Sequence, residues 1–274
     1  MKKHLTFQRN SKVVTVSGRI RGGKNVAVRE MLHKQEEHFP ERKHIIIDLG
    51  QQIAMIEDGV CAEGSLHPRS TLIYDEGWQW EHVRQQWSKY RFHVVQTPDI
   101  SVVDDVIPFM MEAGGCNIWI DEANKLMGAE GKGAMSKHKL HPMLSELLTA
   151  GAHFGTTRNV QHVKNPGDVG WFGVGASTVL IFQSDTDVHN NAIRNASIRM
   201  FTAGSHYGDN ERFAKLLGED PKVFHELRSS LIPPGEGDFV NGRPTRSDFF
   251  LRYDDINRVE GEEIFLLSGL NDPD

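Results

Sequence analysis

Residues Gly18-Arg19-Ile20-Arg21-Gly22-Gly23-Lys24 spell G-x-x-x-x-G-K. Glycines at those places let the backbone fold so that successive N–H groups point inward, and the lysine adds a cation. The chemistry this supplies is phosphate binding. Arg19 and Arg21 bring further positive charge to the turn, and Asn25 follows the lysine where Ser or Thr normally gives Mg²⁺ an oxygen. An amide oxygen can also ligate Mg²⁺. Far downstream, Asn117-Ile118-Trp119-Ile120-Asp121-Glu122 is an apolar run ending in two adjacent carboxylates. Asp121 has the chemistry to join a Mg²⁺ shell, and Glu122 to polarise an attacking water. Taken alone, two acids at a strand end fit a helix cap equally well. With the phosphate loop upstream they read as the second half of an ATP site, matching the Walker A and Walker B pattern.

Both motifs need strands to carry them. Lys12 to Ser17 is rich in β-branched residues and leads into the glycine turn, and an amphipathic helical pattern then runs to Phe39-Pro40. Further strands are expected at 43–49, 71–74, 91–95, 152–158 and 177–183. Helices are expected at 51–57, 99–113 (capped by Asp99 or Ser101), 142–149, 211–217 and 221–228. Another is expected from a cap at Asp185-Thr186-Asp187 through Arg199. Residues 59–70 read as loop. Trp78, Trp80, Val83 and Trp87 at helical spacing read as packing residues. Asp238 to Arg243 reads as a hairpin around Asn241-Gly242. Strands alternating with helices predict an α/β fold, a wound and mainly parallel central sheet flanked by helices. No Pro/Gly-rich linker divides residues 1–274, so a single domain is expected, with an acidic C-terminal segment at 234–274.

The net charge is −6, and residues 234–274 account for all of it, with ten acids against four Lys and Arg. The remaining 233 residues are balanced, so any contact with nucleic acid has to be local. Lys132, Lys137 and Lys139, with His138 and His141, fall in the stretch after the acidic strand. They read either as a solvated surface loop or as a loop that follows DNA phosphates. Cys61 and Cys116 are too few for a disulfide framework or a Cys-rich zinc site. No apolar run is long enough to span a bilayer, and a reducing, cytoplasmic setting is expected.

The order of these pieces resembles the FtsK–HerA superfamily of DNA-pumping ATPases, which includes viral genome-packaging ATPases. The resemblance covers residues 12–242. It rests on Gly18–Asn25, on Ile45-Ile46-Ile47-Asp48, and on Ile118-Trp119-Ile120-Asp121-Glu122-Ala123. It continues through Gly151-Ala152-His153-Phe154-Gly155, Thr156-Thr157-Arg158, and the closing run Leu231 to Phe239. It implies a RecA-like P-loop fold, ATP with Mg²⁺, and a homo-oligomeric, hexameric ring acting on double-stranded DNA. If the chain is viral, a capsid or portal-type vertex protein is an implied partner, and the setting is host cytoplasm or virion. It further implies that Thr157 or Thr156 senses the γ-phosphate, and that Arg158, Arg194 or Arg199 of a neighbouring subunit reaches it. The sequence departs from the family's pattern at Asn25, at Thr157 (where Gln is common) and at Ala152 (where Arg is common). Two other readings stay open: a nucleotide-binding scaffold with little turnover, which Asn25 favours, and a P-loop motor acting on a polymer other than DNA.

Overall fold

A computed structural model of the chain describes residues 13–20, 22–25, 27–28, 31–32, 43–50, 56–57, 60–61, 71–74, 80–113, 116–127, 140–151, 177–183, 188–203, 207–232, 239–240, 243–244, 247–253 and 264–267. The strands are β1 (Val13–Ser17), β2 (Lys43–Asp48), β3 (Ile56–Glu57), β4 (Val60–Cys61), β5 (Thr71–Tyr74), β6 (Phe92–Gln96), β7 (Cys116–Asp121), β8 (Ser177–Phe182), β9 (Ile198–Thr202), β10 (Phe239–Val240), β11 (Arg243–Pro244), β12 (Ser247–Tyr253) and β13 (Ile264–Leu267). The helix α1 starts at Lys24 and is helical at 24–25, 27–28 and 31–32. It is followed by α2 (Trp80–Gln86), α3 (Val102–Ala113), the 3₁₀ turn η1 (Ala123–Met127), α4 (Pro142–Ala150), α5 (Asn190–Asn195), α6 (Tyr207–Leu217) and α7 (Pro221–Ser229).

All the strands but β10 and β11 join one sheet, in the order β13-β12-β9-β1-β8-β7-β2-β6-β5-β4-β3. The stretch from β9 through β5 is parallel throughout. Antiparallel strands extend it at both edges. Parallel strands are buried on both faces, which is why they read as continuous apolar runs. Alternation then divides the core. Ile45, Ile47, Ile118, Ile120, Leu180 and Phe182 face the side covered by α3, α4, α6 and α7. Ile46, Trp119, Val179 and Ile181 face the side where Ala27, Val28, Met31 and Leu32 of α1 pack. On that second side the His44 ring stacks on Phe92 at 4.6 Å and accepts from Trp119 Nε1 at 3.1 Å, so the bulky indole is fully buried with its N–H satisfied.

The wound, mainly parallel α/β sheet is as expected from the sequence, and so is the Phe239–Pro244 hairpin. Three local expectations fail. Ile56–Glu57 and Val60–Cys61 are short paired strands, where a helix end and a loop were expected. The helix expected through Arg199 stops at Asn195, and Ile198–Thr202 is a sheet strand. Its run Ile-Arg-Met-Phe-Thr is β-prone, and pairing with β1 and β12 outweighs the weak helical pattern. The cap of α5 is His189, whose Nδ1 accepts from Asn191 N at 3.1 Å, since the helix starts later than the sequence suggests. Asp99 accepts from Ser101 N at 2.9 Å, in the turn just before α3 begins at Val102. The strand expected at 152–158 lies outside the described residues.

Candidate active site

The carboxyl ends of neighbouring parallel strands gather the polar residues. β1 ends at Ser17 and runs straight into the glycine turn, β8 ends before Gln183, and β7 ends in Asp121, followed by Glu122. β2 ends in Asp48, and β6 in Gln96. Open α/β sheets place their ligands at this edge. The strand β8 lies between the one that carries the glycine turn and the one that carries the acids, so the two motifs face each other across a single strand.

The turn itself is tightly fitted. Gly22 N donates to Arg19 O at 3.0 Å, and Gly23 has φ of +92°, where a side chain is strained. A Cβ on Gly22 would stand 2.5 Å from Ala203 O and 2.9 Å from Arg19 O. Gly22→Ala should therefore destabilise the chain by about 1–3 kcal/mol, the usual range for overpacking. A thermal melt should show this as a drop of several degrees. Lys24 is 7% exposed, and its Nζ donates to Gly18 O at 2.8 Å and Arg19 O at 2.9 Å. The amine thus curls over the loop it belongs to. Asn25 follows it, half-buried in the first turn of α1, whose N-terminus adds positive potential. Arg19 and Ile20 are exposed on the turn, and Arg21 lies outside the described residues.

A buried arginine braces the turn from behind. Arg228 of α7 is fully buried; its Nε donates to Thr202 O at 3.3 Å, Nη2 to Ser17 Oγ at 3.3 Å, and Nη1 to Asn210 Oδ1 at 3.1 Å. Its guanidinium also sits 5.3 Å from the Phe201 ring. The last residue before the glycine turn is thereby tied to the C-terminal helices.

Opposite lies an acidic cluster. Register places Asp48 directly beside Asp121, and both are buried. Gln96 Nε2 donates to Asp48 Oδ2 at 3.2 Å. Burial, with the Asp48 carboxylate next to it, pushes Asp121 up to about 7, against a smaller opposing pull from Lys24. Two buried carboxylates short of cationic charge suit a hard divalent cation. The described residues hold no group of three or more His, Cys, Asp or Glu that could cage a metal alone.

Glu122 has φ of +49°, a left-handed conformation costly for a residue with a side chain. Its Oε1 accepts from Gln183 Nε2 at 3.3 Å, and its Oε2 pairs with Lys125 Nζ at 2.6 Å. Lys125 Nζ also donates to Leu49 O at 2.8 Å. Gly50 closes the space: a Cβ there would stand 3.2 Å from the Glu122 carboxyl carbon and 3.3 Å from Asp121 Oδ2.

The structure therefore brings Gly18, Gly22, Gly23, Lys24 and Asn25 to the same sheet edge as Asp121 and Glu122. Thr157 and Arg158, and the loop lysines Lys132, Lys137 and Lys139, lie outside the described residues. Arg199 is an internal brace: it is 6% exposed, and its guanidinium donates to Ile193 O at 2.9 Å and Arg194 O at 3.5 Å. That geometry takes it out of the set of arginines available to a neighbouring subunit. Three site residues carry no role in the sequence reading: Asp48, Lys125 and Gln183. Asp48 and Gln183 share a signal with Asp121, a polar residue at the end of a buried apolar strand.

The fold is that of P-loop NTPases, as the similar solved structures show. The genome packaging NTPase B204 from Sulfolobus turreted icosahedral virus 2, in complex with AMPPCP, is similar over 96% of this chain and 100% of its own, at 13% identity and a TM-score of 0.57. The same protein in complex with ATP-gammaS matches over 96% and 99%, at 12% identity and a TM-score of 0.57. B204, the DNA-packaging ATPase from Sulfolobus Turreted Icosahedral Virus, matches over 96% and 100%, at 12% identity and a TM-score of 0.55. No protein-family model matches the sequence, and no curated protein matches it.

Proposed function

We propose that this chain is a Mg²⁺-dependent ATPase, a single domain over residues 1–274, that works as a homo-oligomeric ring to move double-stranded DNA. Genome packaging is the form of that activity to which the similar B204 structures point. The observation that carries the reading is the convergence, on one sheet edge, of Lys24 with its glycine turn and the Asp48–Asp121–Glu122 cluster.

In this mechanism the N–H groups of 18–25 and the Lys24 amine hold the β- and γ-phosphates. Lys24 exchanges its carbonyl partners for phosphate oxygens. Asp121, with Asn25 from the loop side, would hold Mg²⁺, which neutralises charge on the phosphates when bound. Asp121 would hold it as the carboxylate, giving up the proton that burial favours. Glu122 takes a proton from the attacking water. Gln183 orients the Glu122 carboxylate and faces the same space, so it joins Thr157 as a candidate to read the terminal phosphate. Arg158, from a neighbouring subunit, is the proposed completing charge. Lys132, Lys137 and Lys139 are the proposed DNA contacts, with sequence-independent, salt-dependent binding as the consequence. No helix among the described residues is long and apolar enough to cross a membrane, and we place the working protein in the cytoplasm or a virion.

Phosphate release measured with and without duplex DNA tests the DNA half of this reading. Stimulation by DNA that fades as salt is raised is expected. Turnover indifferent to DNA would point instead to a motor on another polymer. Asn25 favours a second reading, a scaffold that binds ATP without turning it over, and the absence of phosphate release would select it.

A further inference from the structure

We propose that Lys125 is a latch on Glu122, tying up one carboxylate oxygen and so restraining its use as the catalytic base. The inference rests on the reading of Glu122 as the base. Both carboxylate oxygens are engaged, Oε2 by the Lys125 ammonium at 2.6 Å and Oε1 by the Gln183 amide at 3.3 Å. A base must present a lone pair to the attacking water, and the lone pair facing Lys125 is committed to the ammonium. The ammonium is itself anchored, because it also donates to Leu49 O at 2.8 Å, at the end of the strand that supplies Asp48. Backbone geometry tightens the arrangement. Lys125 N donates to Glu122 O at 2.9 Å, so the same 3₁₀ turn that follows the left-handed Glu122 brings the lysine back over it. The far end of η1 is pinned as well, with Leu126 O accepting from His141 N at 2.8 Å at the start of α4.

Glu122 and Lys125 side chains are 18% and 38% exposed, so the pair is partly solvated and breakable. A device of this kind restrains hydrolysis in the resting chain without weakening ATP binding. Lys125 is a positioning residue; it acts through Glu122.

The test is steady-state ATP turnover of the wild type, Lys125→Met, Lys125→Gln and Lys125→Arg, each alone and combined with Glu122→Gln. Lys125→Met and Lys125→Gln should raise kcat about fivefold, the equivalent of about 1 kcal/mol of ion-pair energy, with KM for ATP unchanged. Lys125→Arg, which keeps a cation in reach, should restore most of the restraint. In the Glu122→Gln background the lysine changes should have no effect, since paired sites that act as a unit are not additive. If kcat stays level or falls in both Lys125→Met and Lys125→Gln while Glu122→Gln is inactive, the latch is wrong and the base stands. Full turnover in Glu122→Gln itself would overturn the base, and the latch with it.

Discussion

Glu122→Gln should lower kcat by about a thousandfold, within the range that general-base contributions span, and leave ATP bound. The substitution keeps the shape of the side chain and removes only its capacity to take a proton. Its neighbours are arranged so that the fold survives. The ion pair lost with Lys125 is partly solvated, at 18% and 38% exposure, and such pairs contribute about 1 kcal/mol or less. The phosphate-binding groups are independent of it, because Lys24 bonds to Gly18 O and Arg19 O on the other side of the site. Binding of a labelled nucleotide should therefore be close to that of the wild type while phosphate release disappears. Parallel loss of binding and turnover would mean that Glu122 is structural.

Asp121→Asn should show the opposite pattern, a more stable chain with a disabled site. Burial and the Asp48 carboxylate raise Asp121 from 3.8 to about 7, so the folded chain binds a proton there that the unfolded chain releases. The sign follows from linkage: with more protons bound in the folded state, stability falls as pH rises. The loss sets in near pH 4 and is complete near pH 7, and at about 1.4 kcal/mol per pKa unit it is on the order of 4 kcal/mol. Asparagine carries no charge at any pH and removes this slope. Denaturant melts without metal should show the variant more stable than the wild type at pH 8 by a few kcal/mol, with the gap closing toward pH 4. Added Mg²⁺ should stabilise the wild type most above pH 7 and should stabilise the variant far less. A wild-type melt that is flat from pH 4 to 8 would contradict the buried acid pair.

The site was legible in the sequence where a motif dictates backbone. Gly18 to Lys24 needs its glycines because Gly22 has no room for a Cβ and Gly23 has positive φ, and both constraints show as residue types. Asp121-Glu122 was legible because an apolar run with acids at its end is how a buried parallel strand presents ligands. What was hidden depends on which strands become neighbours. Asp48 gains its place only through the β2–β7 register, and Gln183 only because β8 inserts between β1 and β7. Lys125 reads as a surface lysine until the 3₁₀ turn folds it back on Glu122. The same holds for fold: β9 looked like the end of a helix because its pairing partners, β1 and β12, are far away in sequence. Arg199 accordingly changed from a candidate for reaching a neighbour to a brace inside its own chain.

The most direct measurement is phosphate release from ATP by the wild-type chain with Mg²⁺, set beside equilibrium binding of the same nucleotide. The arrangement of Lys24, Asp121 and Glu122 predicts both binding and multiple turnovers, with turnover abolished by chelation of the metal. Nucleotide bound tightly with no phosphate released, under conditions where the protein is folded and oligomeric, would contradict it.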